Sequence, residues 1–178
     1  MIKNIIYVSL VSLFVLSCGK STTEEPEITP EETNVKKVLI IGIDGCMPVG
    51  ITAANTPNLD ALMANGTYSL DARNTGITSS GPGWSSMLTG VWNDKHGVVD
   101  NSFSGSKFNR YPHVFKRIEE YNPSYRTVSV SQWHPINDEI AIGAVDAIRN
   151  TEDTSVDTKN KAVAELGVED LTALFVHF

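Results

Sequence analysis

A serine stands two residues before a predicted helix in the segment TSSGPGWSSMLTG, residues 78–90. Pro82 suits the first turn of a helix, which we predict to run from Pro82 to Thr89 and to end at Gly90. The hydroxyl of Ser80 would then lie beside the free N–H groups and the positive dipole end of that helix. Such surroundings stabilise an alkoxide or bind a phosphate oxygen, but serine is also one of the commonest helix caps. Local chemistry therefore leaves two interpretations of Ser80 open, a nucleophile and a structural cap.

An aspartate follows a predicted strand near the start of the folded part. Residues 38–43 are almost continuously apolar, which is typical of a parallel strand that is buried on both faces. The strand ends at Asp44 and Gly45, and ligands of α/β proteins bind at the carboxyl ends of such strands. Asp44 is thus a candidate metal ligand, and a metal that also contacted Ser80 would lower the pKa of its hydroxyl. Because aspartate is also common in turns and caps, a structural role for Asp44 stays open.

The elements that must position these residues follow from hydrophobic periodicity and from glycine and proline signals. Helices are predicted over 56–66, 82–89, 112–121 and 157–167, and strands over 38–43, 68–76, 125–133 and 171–178. This order, β-α-β-α-α-β-α-β, predicts an α/β fold with a mainly parallel sheet that is flanked by helices on both faces.

Composition and charge reduce the number of function classes that fit the chain. The chain has 178 residues, of which 41% are hydrophobic and 20% charged, and its net charge is -7. These values are typical of one globular domain. The negative charge argues against binding of duplex nucleic acid. A phosphorylated substrate would need local positive charge, from a metal or from a helix N-terminus.

The first 17 residues have the pattern of a bacterial lipoprotein signal peptide. Lys3 precedes an apolar stretch, residues 5–16, that is too short for a membrane span, and the lipobox-like VLSC ends at Cys18. We predict cleavage before Cys18 and a lipid on its thiol, the alternative being an ordinary secretory signal with a chance cysteine. Residues 18–34 are acidic and nearly free of apolar side chains, which predicts a flexible tether. The expected location is a bacterial membrane, specifically the outer one, with the protein exported and lipid-anchored.

Four segments, taken together, resemble the alkaline phosphatase superfamily, and most of all its type I phosphodiesterase/nucleotide pyrophosphatase branch. They are VLIIGIDG (38–45), TPNLDALMANG (56–66), SGPGWSSMLTG (80–90) and HGVVDN (96–101), with a looser similarity in RTVSVSQWHP (126–135). The resemblance implies that residues 35–178 are the N-terminal portion of an alkaline phosphatase-like catalytic domain, incomplete at its C-terminus.

The resemblance also implies roles for individual residues. Asp44 would be a metal ligand, and Ser80 would be the metal-bound nucleophile that forms a phosphoseryl intermediate. Asn101 would donate to a non-bridging oxygen of the transferred group, although a loop cap is its local alternative. The turn at His96-Gly97 would be structural. The implied cofactors are two divalent metal ions, with zinc as the expected metal, and the implied substrate is a small phosphate ester or a nucleotide.

The main departure from the family pattern is the lack of the further metal ligands. The run of Asp and His residues that supplies further ligands does not occur before Phe178, so we expect a half-built metal site and no real catalysis from this chain alone. His177 is predicted to face the sheet or the core, and His134 to have a loop role. Cys46 is predicted to be a small packing residue rather than a ligand.

Two alternative functions remain open at this point. One is a different hydrolase of the same superfamily, a sulfatase or a phosphomonoesterase. Trp84 stands where the sulfatase signature has arginine, which argues against a formylglycine sulfatase. The other alternative is a non-catalytic surface lipoprotein that uses the fold as a binding module.

Overall fold

The computed structural model describes residues 36–74, 76–152 and 154–178. The predicted signal peptide, the lipidated Cys18 and the tether lie outside these residues. Four parallel strands form one sheet in the order β1-β4-β2-β3. The strands are β1 (Val38–Gly42), β2 (Arg126–Ser131), β3 (Ala147–Asn150) and β4 (Leu171–His177). The parallel sheet confirms the predicted α/β class.

Helices connect the strands and cover the sheet. The helices are α1 (Pro48–Ala53), α2 (Pro57–Asn65), α3 (Ser80–Thr89), α4 (Asn93–His96), α5 (Val114–Tyr121), a π-helix (Ile136–Ala141) and α6 (Ser155–Leu166). Helices α2, α3, α5 and α6 confirm the four predicted ones, and α3 begins two residues earlier than predicted. Gly90 ends α3 in the left-handed conformation, with φ of 70°. None of the described helices combines the length and the hydropathy that a membrane crossing needs.

Strand β4 is the centre of the hydrophobic core, and all seven of its residues are buried. Ala173 and Phe175 pack on one side with residues of α3, α5 and the π-helix. Leu174 and Val176 pack on the other side with β2 and with Ala162 of α6. Because neighbouring side chains of a strand point to opposite faces, helices cover both faces of the sheet, as predicted.

The prediction that β1 is buried on both faces is wrong. Its side chains from Val38 to Ile41 are 36–54% exposed. The reason is the strand order, because β1 is an edge strand and pairs with β4 alone among the described strands. An apolar run predicts a strand here correctly, but it does not reveal how many neighbours the strand has.

The predicted strand over 68–76 is also absent from the described residues of that segment. Side chains there bond to nearby backbone instead. Asn74 accepts the N–H of Gly76 at 2.9 Å and donates to the carbonyl of Ile77 at 3.2 Å, and Ser69 accepts the N–H of Asp71. Such local bonds compete with a strand ladder and favour turns.

Several short elements were not predicted, namely α1, α4, β3 and the π-helix. Strand β3 has four residues, two of them the polar Arg149 and Asn150, so its periodicity is too short to recognise. A buried polar network fixes the π-helix beside the sheet. Asn137 accepts from the Ser129 hydroxyl at 2.5 Å and donates to the side chain of Asn150 at 2.7 Å.

A fully buried histidine caps α5. The Nδ1 atom of His113 accepts the N–H of Phe115 at 3.0 Å, and the ring packs edge-on against Phe115 and Phe175. Its Nε2 atom has no hydrogen-bond partner among the described residues. Burial lowers the pKa of His113 to about 4, from an ordinary value of 6.5.

This histidine makes the protein less stable in acid. Between pH 6.5 and 4 the unfolded chain binds a proton at His113 that the folded protein excludes, so the stability falls as the pH falls. From pH 7 to pH 5 the loss is about 2 kcal/mol. The variant His113→Asn keeps an acceptor for the cap but does not titrate, so we expect its unfolding free energy in urea to lose about 2 kcal/mol less. An equal loss in both proteins would contradict the assignment.

Candidate active site

The end of β1 and the start of α3 bring two predicted site residues together. Asp44 follows β1, and its N–H donates to the carbonyl of Phe178 at 2.9 Å, which fixes the turn beside the end of β4. Ser80 is the first residue of α3. Ser80 lies near enough to the Asp44 carboxylate to lower its pKa. A strand end and a helix N-terminus thus place a hydroxyl near a carboxylate.

Both residues line an open cavity of about 820 Å³, a volume that suits a small-molecule ligand. Gly45, Cys46 and Trp84 contribute to the same wall. Cys46 is exposed and free, so its prediction as a packing residue is wrong. Cys46 follows the turn at Asp44 and Gly45, in which Gly45 has a φ of 67°, and it lines the cavity instead of packing in the core.

Asp44 is held in its ionised form. Burial raises the pKa of Asp44, but the hydrogen bond from Trp84 and the nearby Ser80 hydroxyl, Gly45 N–H and His177 ring more than offset it. The net result is a pKa below the ordinary value. A carboxylate that stays charged at neutral pH is the form that binds a cation.

Two side chains that no sequence pattern links to Asp44 lie next to its carboxylate. The indole Nε1–H of Trp84 donates to Oδ2 of Asp44 at 3.1 Å, and Nε2 of His177 is 3.8 Å from the same oxygen. His177 is 3% exposed within β4, which confirms its prediction as a core or sheet residue. Burial is also the main cause that lowers the pKa of His177, against the opposing effect of Asp44.

Asn101 is fixed next to the candidate nucleophile. Its Oδ1 atom accepts the N–H of Gly81 at 2.8 Å. A Cβ atom on Gly81 would lie 2.8 Å from the carbonyl oxygen of Asp100, so only glycine permits this approach. Because Oδ1 is engaged, the Nδ2 group is the end of the amide that remains to donate. The structure therefore brings Asn101 to the residue that follows Ser80.

The first turn of α3 offers fewer N–H donors than a helix N-terminus usually does. The N–H of Gly81 is bonded to Asn101, Pro82 has none, and the N–H of Gly83 donates to the carbonyl of Ser79 at 3.0 Å. The expectation that helix amides bind substrate charge stays a prediction, and these contacts of Gly81 and Gly83 do not favour it. The helix dipole still favours an anion at this end.

The remaining histidines have structural contacts. His96 is buried, its Nδ1 accepts the N–H of Val98, and its Nε2 lies 3.0 Å from the Ser86 hydroxyl. Gly97 has a φ of 81°, so His96-Gly97 is a structural turn, as predicted. His134 bonds through Nε2 to the carbonyl of Thr151 at 2.8 Å, a contact that holds two loops together.

Comparison with known proteins points to one family. The family model of type I phosphodiesterases/nucleotide pyrophosphatases matches residues 38–162. The bis(5'-adenosyl)-triphosphatase enpp4 of Xenopus laevis is 29% identical over 72 residues, which are 40% of this chain and 16% of that protein.

Two solved structures share the fold. Murine ectonucleotide pyrophosphatase/phosphodiesterase 5 matches with a TM-score of 0.63 and 16% identity, over 80% of this chain and 43% of that chain. An inactive threonine-to-alanine variant of the same mouse protein, in complex with AMP, matches with 17% identity and equal TM-score and coverage. The chain thus spans less than half the length of these relatives. With the family model covering most of its folded part, the chain belongs to the type I phosphodiesterase/nucleotide pyrophosphatase family.

Proposed function

We propose that the protein is a metal-dependent hydrolase of phosphate esters, of the phosphodiesterase/nucleotide pyrophosphatase type, with Ser80 as its nucleophile. The observation that carries the proposal is that Ser80, at the start of α3, and the ionised Asp44, at the end of β1, line the same open cavity. Family membership supports the class of reaction. Because the chain spans 43% of its solved relatives, the activity of the whole protein is part of the proposal.

The chemistry of Asp44 and Ser80 fits two ligands of a divalent metal. Both supply oxygen, and dependence on divalent metals is general in this family. The described residues contain no group of three or more His, Cys, Asp or Glu side chains that could hold a metal ion, and we propose that the other ligands come from outside them. A bound metal lowers the pKa of a coordinated hydroxyl, which is the chemistry that Ser80 needs. We propose that the site holds two metal ions and that the metal is zinc. The support for both points is the family resemblance.

The proposed reaction has two displacements at phosphorus. Oγ of Ser80 gives up its proton and forms a bond to phosphorus while the bond to the leaving-group oxygen breaks, which gives a phosphoseryl intermediate and a leaving group that takes up the proton. Water then attacks phosphorus, the bond to Oγ breaks, and a proton from that water restores the serine hydroxyl. The Nδ2 group of Asn101 donates to the negative charge that develops on a non-bridging oxygen, and the dipole of α3 favours the same charge.

A nucleotide is the substrate class that the relatives support. The name of the Xenopus relative describes cleavage of an adenosine polyphosphate, and the mouse variant holds AMP. The inactivity of that variant after loss of a threonine is in keeping with a hydroxyl nucleophile in the family. The net charge of -7 requires that positive charge at the site itself attracts such a substrate.

A substrate panel tests this proposal. Full-length protein loaded with Zn²⁺ is assayed with bis-p-nitrophenyl phosphate, p-nitrophenyl phosphate, p-nitrophenyl sulfate and diadenosine triphosphate. We expect kcat/KM for the two substrates with phosphodiester or pyrophosphate bonds to exceed that for the monoester and the sulfate by at least about tenfold. A preference for the monoester or the sulfate would contradict the proposal and favour another hydrolase of the superfamily. Tight Zn²⁺ binding without any hydrolysis would favour a binding module.

A further inference from the structure

A tryptophan contacts the carboxylate at the centre of the candidate site. Nε1 of Trp84 is 3.1 Å from Oδ2 of Asp44, and Trp84 itself is 6% exposed. The Asp44 side chain is 43% exposed, so water and the cavity reach its other side. Hydrogen bonds to an ionised acceptor are shorter and stronger than neutral ones. The indole therefore selects one orientation of a carboxylate that solvent would otherwise let rotate.

The indole ring has little freedom to move. It packs edge-on against His177 with centroids 4.8 Å apart, and against Phe175 at 5.9 Å. A Cβ atom at Gly42 would overlap the ring, so β1 has a glycine where the indole crosses it. Packing on three sides makes Trp84 a rigid donor, which a flexible surface side chain would not be.

His177 is a second polar neighbour of the same oxygen. Its Nδ1 atom lies 3.4 Å from the N–H of Trp133 and accepts from it, so the neutral ring has its proton on Nε2. That atom is buried without a hydrogen-bond partner among the described residues, 3.8 Å from Oδ2 of Asp44. This distance exceeds a hydrogen bond, so Trp84 makes the direct contact and His177 a weaker one.

We infer that Trp84 is a positioning residue, whose indole N–H anchors Oδ2 of Asp44 and leaves the other carboxylate oxygen for a divalent cation. The inference rests on the proposed function, in which Asp44 is a metal ligand. A group that donates to a ligating side chain fixes its direction, and loss of such a group weakens metal binding about tenfold to a hundredfold. No motif of the family resemblance pointed to this role for Trp84.

The first test needs neither metal nor substrate. The protein has three tryptophans, so the nitrogen-15 NMR spectrum contains three indole N–H signals, and Trp84→Phe identifies the one from residue 84. We expect this signal to move upfield in Asp44→Ala, because the hydrogen bond to the carboxylate is lost. An unchanged signal would overturn the inference.

The second test removes the N–H without changing the shape of the ring. Benzothienylalanine, which has sulfur in place of the indole nitrogen, replaces Trp84 in the full-length protein. We expect about tenfold to a hundredfold weaker Zn²⁺ affinity in calorimetry and a similar fall in kcat with nearly unchanged KM. The matched control is Trp92→Phe, because Trp92 is half-exposed beyond the other end of α3, and we expect its Zn²⁺ affinity to equal that of the wild type.

The outcomes separate this inference from the proposed function. Wild-type Zn²⁺ affinity in the benzothienylalanine protein would overturn the role of Trp84 and leave the hydrolase proposal intact. Zn²⁺ binding by the wild type without hydrolysis would overturn the hydrolase proposal, while the affinity comparison would still decide the role of Trp84. A wild-type protein that binds no Zn²⁺ would overturn both.

Discussion

Replacement of Ser80 by alanine is expected to abolish hydrolysis of phosphate esters, with kcat lower by about a thousandfold or more. Alanine removes the only atom that forms the bond to phosphorus in the proposed first step. The fold is expected to stay intact, because the helix cap is the preceding residue, Ser79, and not Ser80. Steady-state assay with a phosphodiester, and urea unfolding to compare stability within about 0.5 kcal/mol, check both parts.

The neighbouring serine provides the matched control for this variant. Ser79 caps α3 through its backbone, and its hydroxyl makes no capping bond. We therefore expect Ser79→Ala to keep most of the activity. If Ser80→Ala turned over substrate at a rate close to that of the wild type, or if Ser79→Ala were the inactive variant, the assignment of the nucleophile would be wrong.

Replacement of Asp44 by asparagine is the second change with a large expected effect. Asparagine has the same shape and keeps an oxygen that accepts the Trp84 N–H, but it has no charge. Since hard and borderline cations bind carboxylate in preference to amide oxygen, we expect Zn²⁺ affinity to fall on the order of a hundredfold. Activity should fall with it, because the Ser80 hydroxyl loses both its charged neighbour and the metal. Calorimetric Zn²⁺ titration and the phosphodiester assay measure the two effects.

An exposed aspartate elsewhere controls for the loss of one negative charge. Asp60 lies on α2 and changes the net charge equally when it becomes asparagine. We expect Asp60→Asn to bind Zn²⁺ as the wild type does. Equal affinities of Asp44→Asn and the wild type would show that Asp44 is not a ligand, and would leave Ser80 to be explained in another way.

Local signals predicted much of the fold. Glycine and proline mark the ends of α2 and α3, and hydrophobic periodicity identifies α6 and β4. These signals depend only on residues that are close in the sequence, so they can be recognised without the structure. The burial of β1 depends on which strand lies beside it, which no local pattern contains. The segment 68–76 has strand-like composition, but side-chain bonds such as those of Asn74 to nearby backbone decide its conformation.

The candidate site, like the fold, was predictable only in part. The pairing of Asp44 with Ser80 was predictable, because a strand end and a helix N-terminus are standard places for ligand chemistry and the family resemblance named both residues. The contacts of Trp84 and His177 with Asp44 join three distant parts of the chain. They have no characteristic spacing, so only the tertiary structure reveals them.

The position of β1 at the edge of the sheet has a consequence for biosynthesis. β1 is the first described strand, yet its register pairs Val38 with Ala173 of the last one. This is a high-contact-order pairing, and a chain emerging from the ribosome cannot form it until β4 has been translated. Until β4 has been translated, the apolar segment 38–41 lacks the strand with which it pairs and can associate with other nascent chains. Asp44 follows β1, so the candidate site is fixed in place only after β4 has been made.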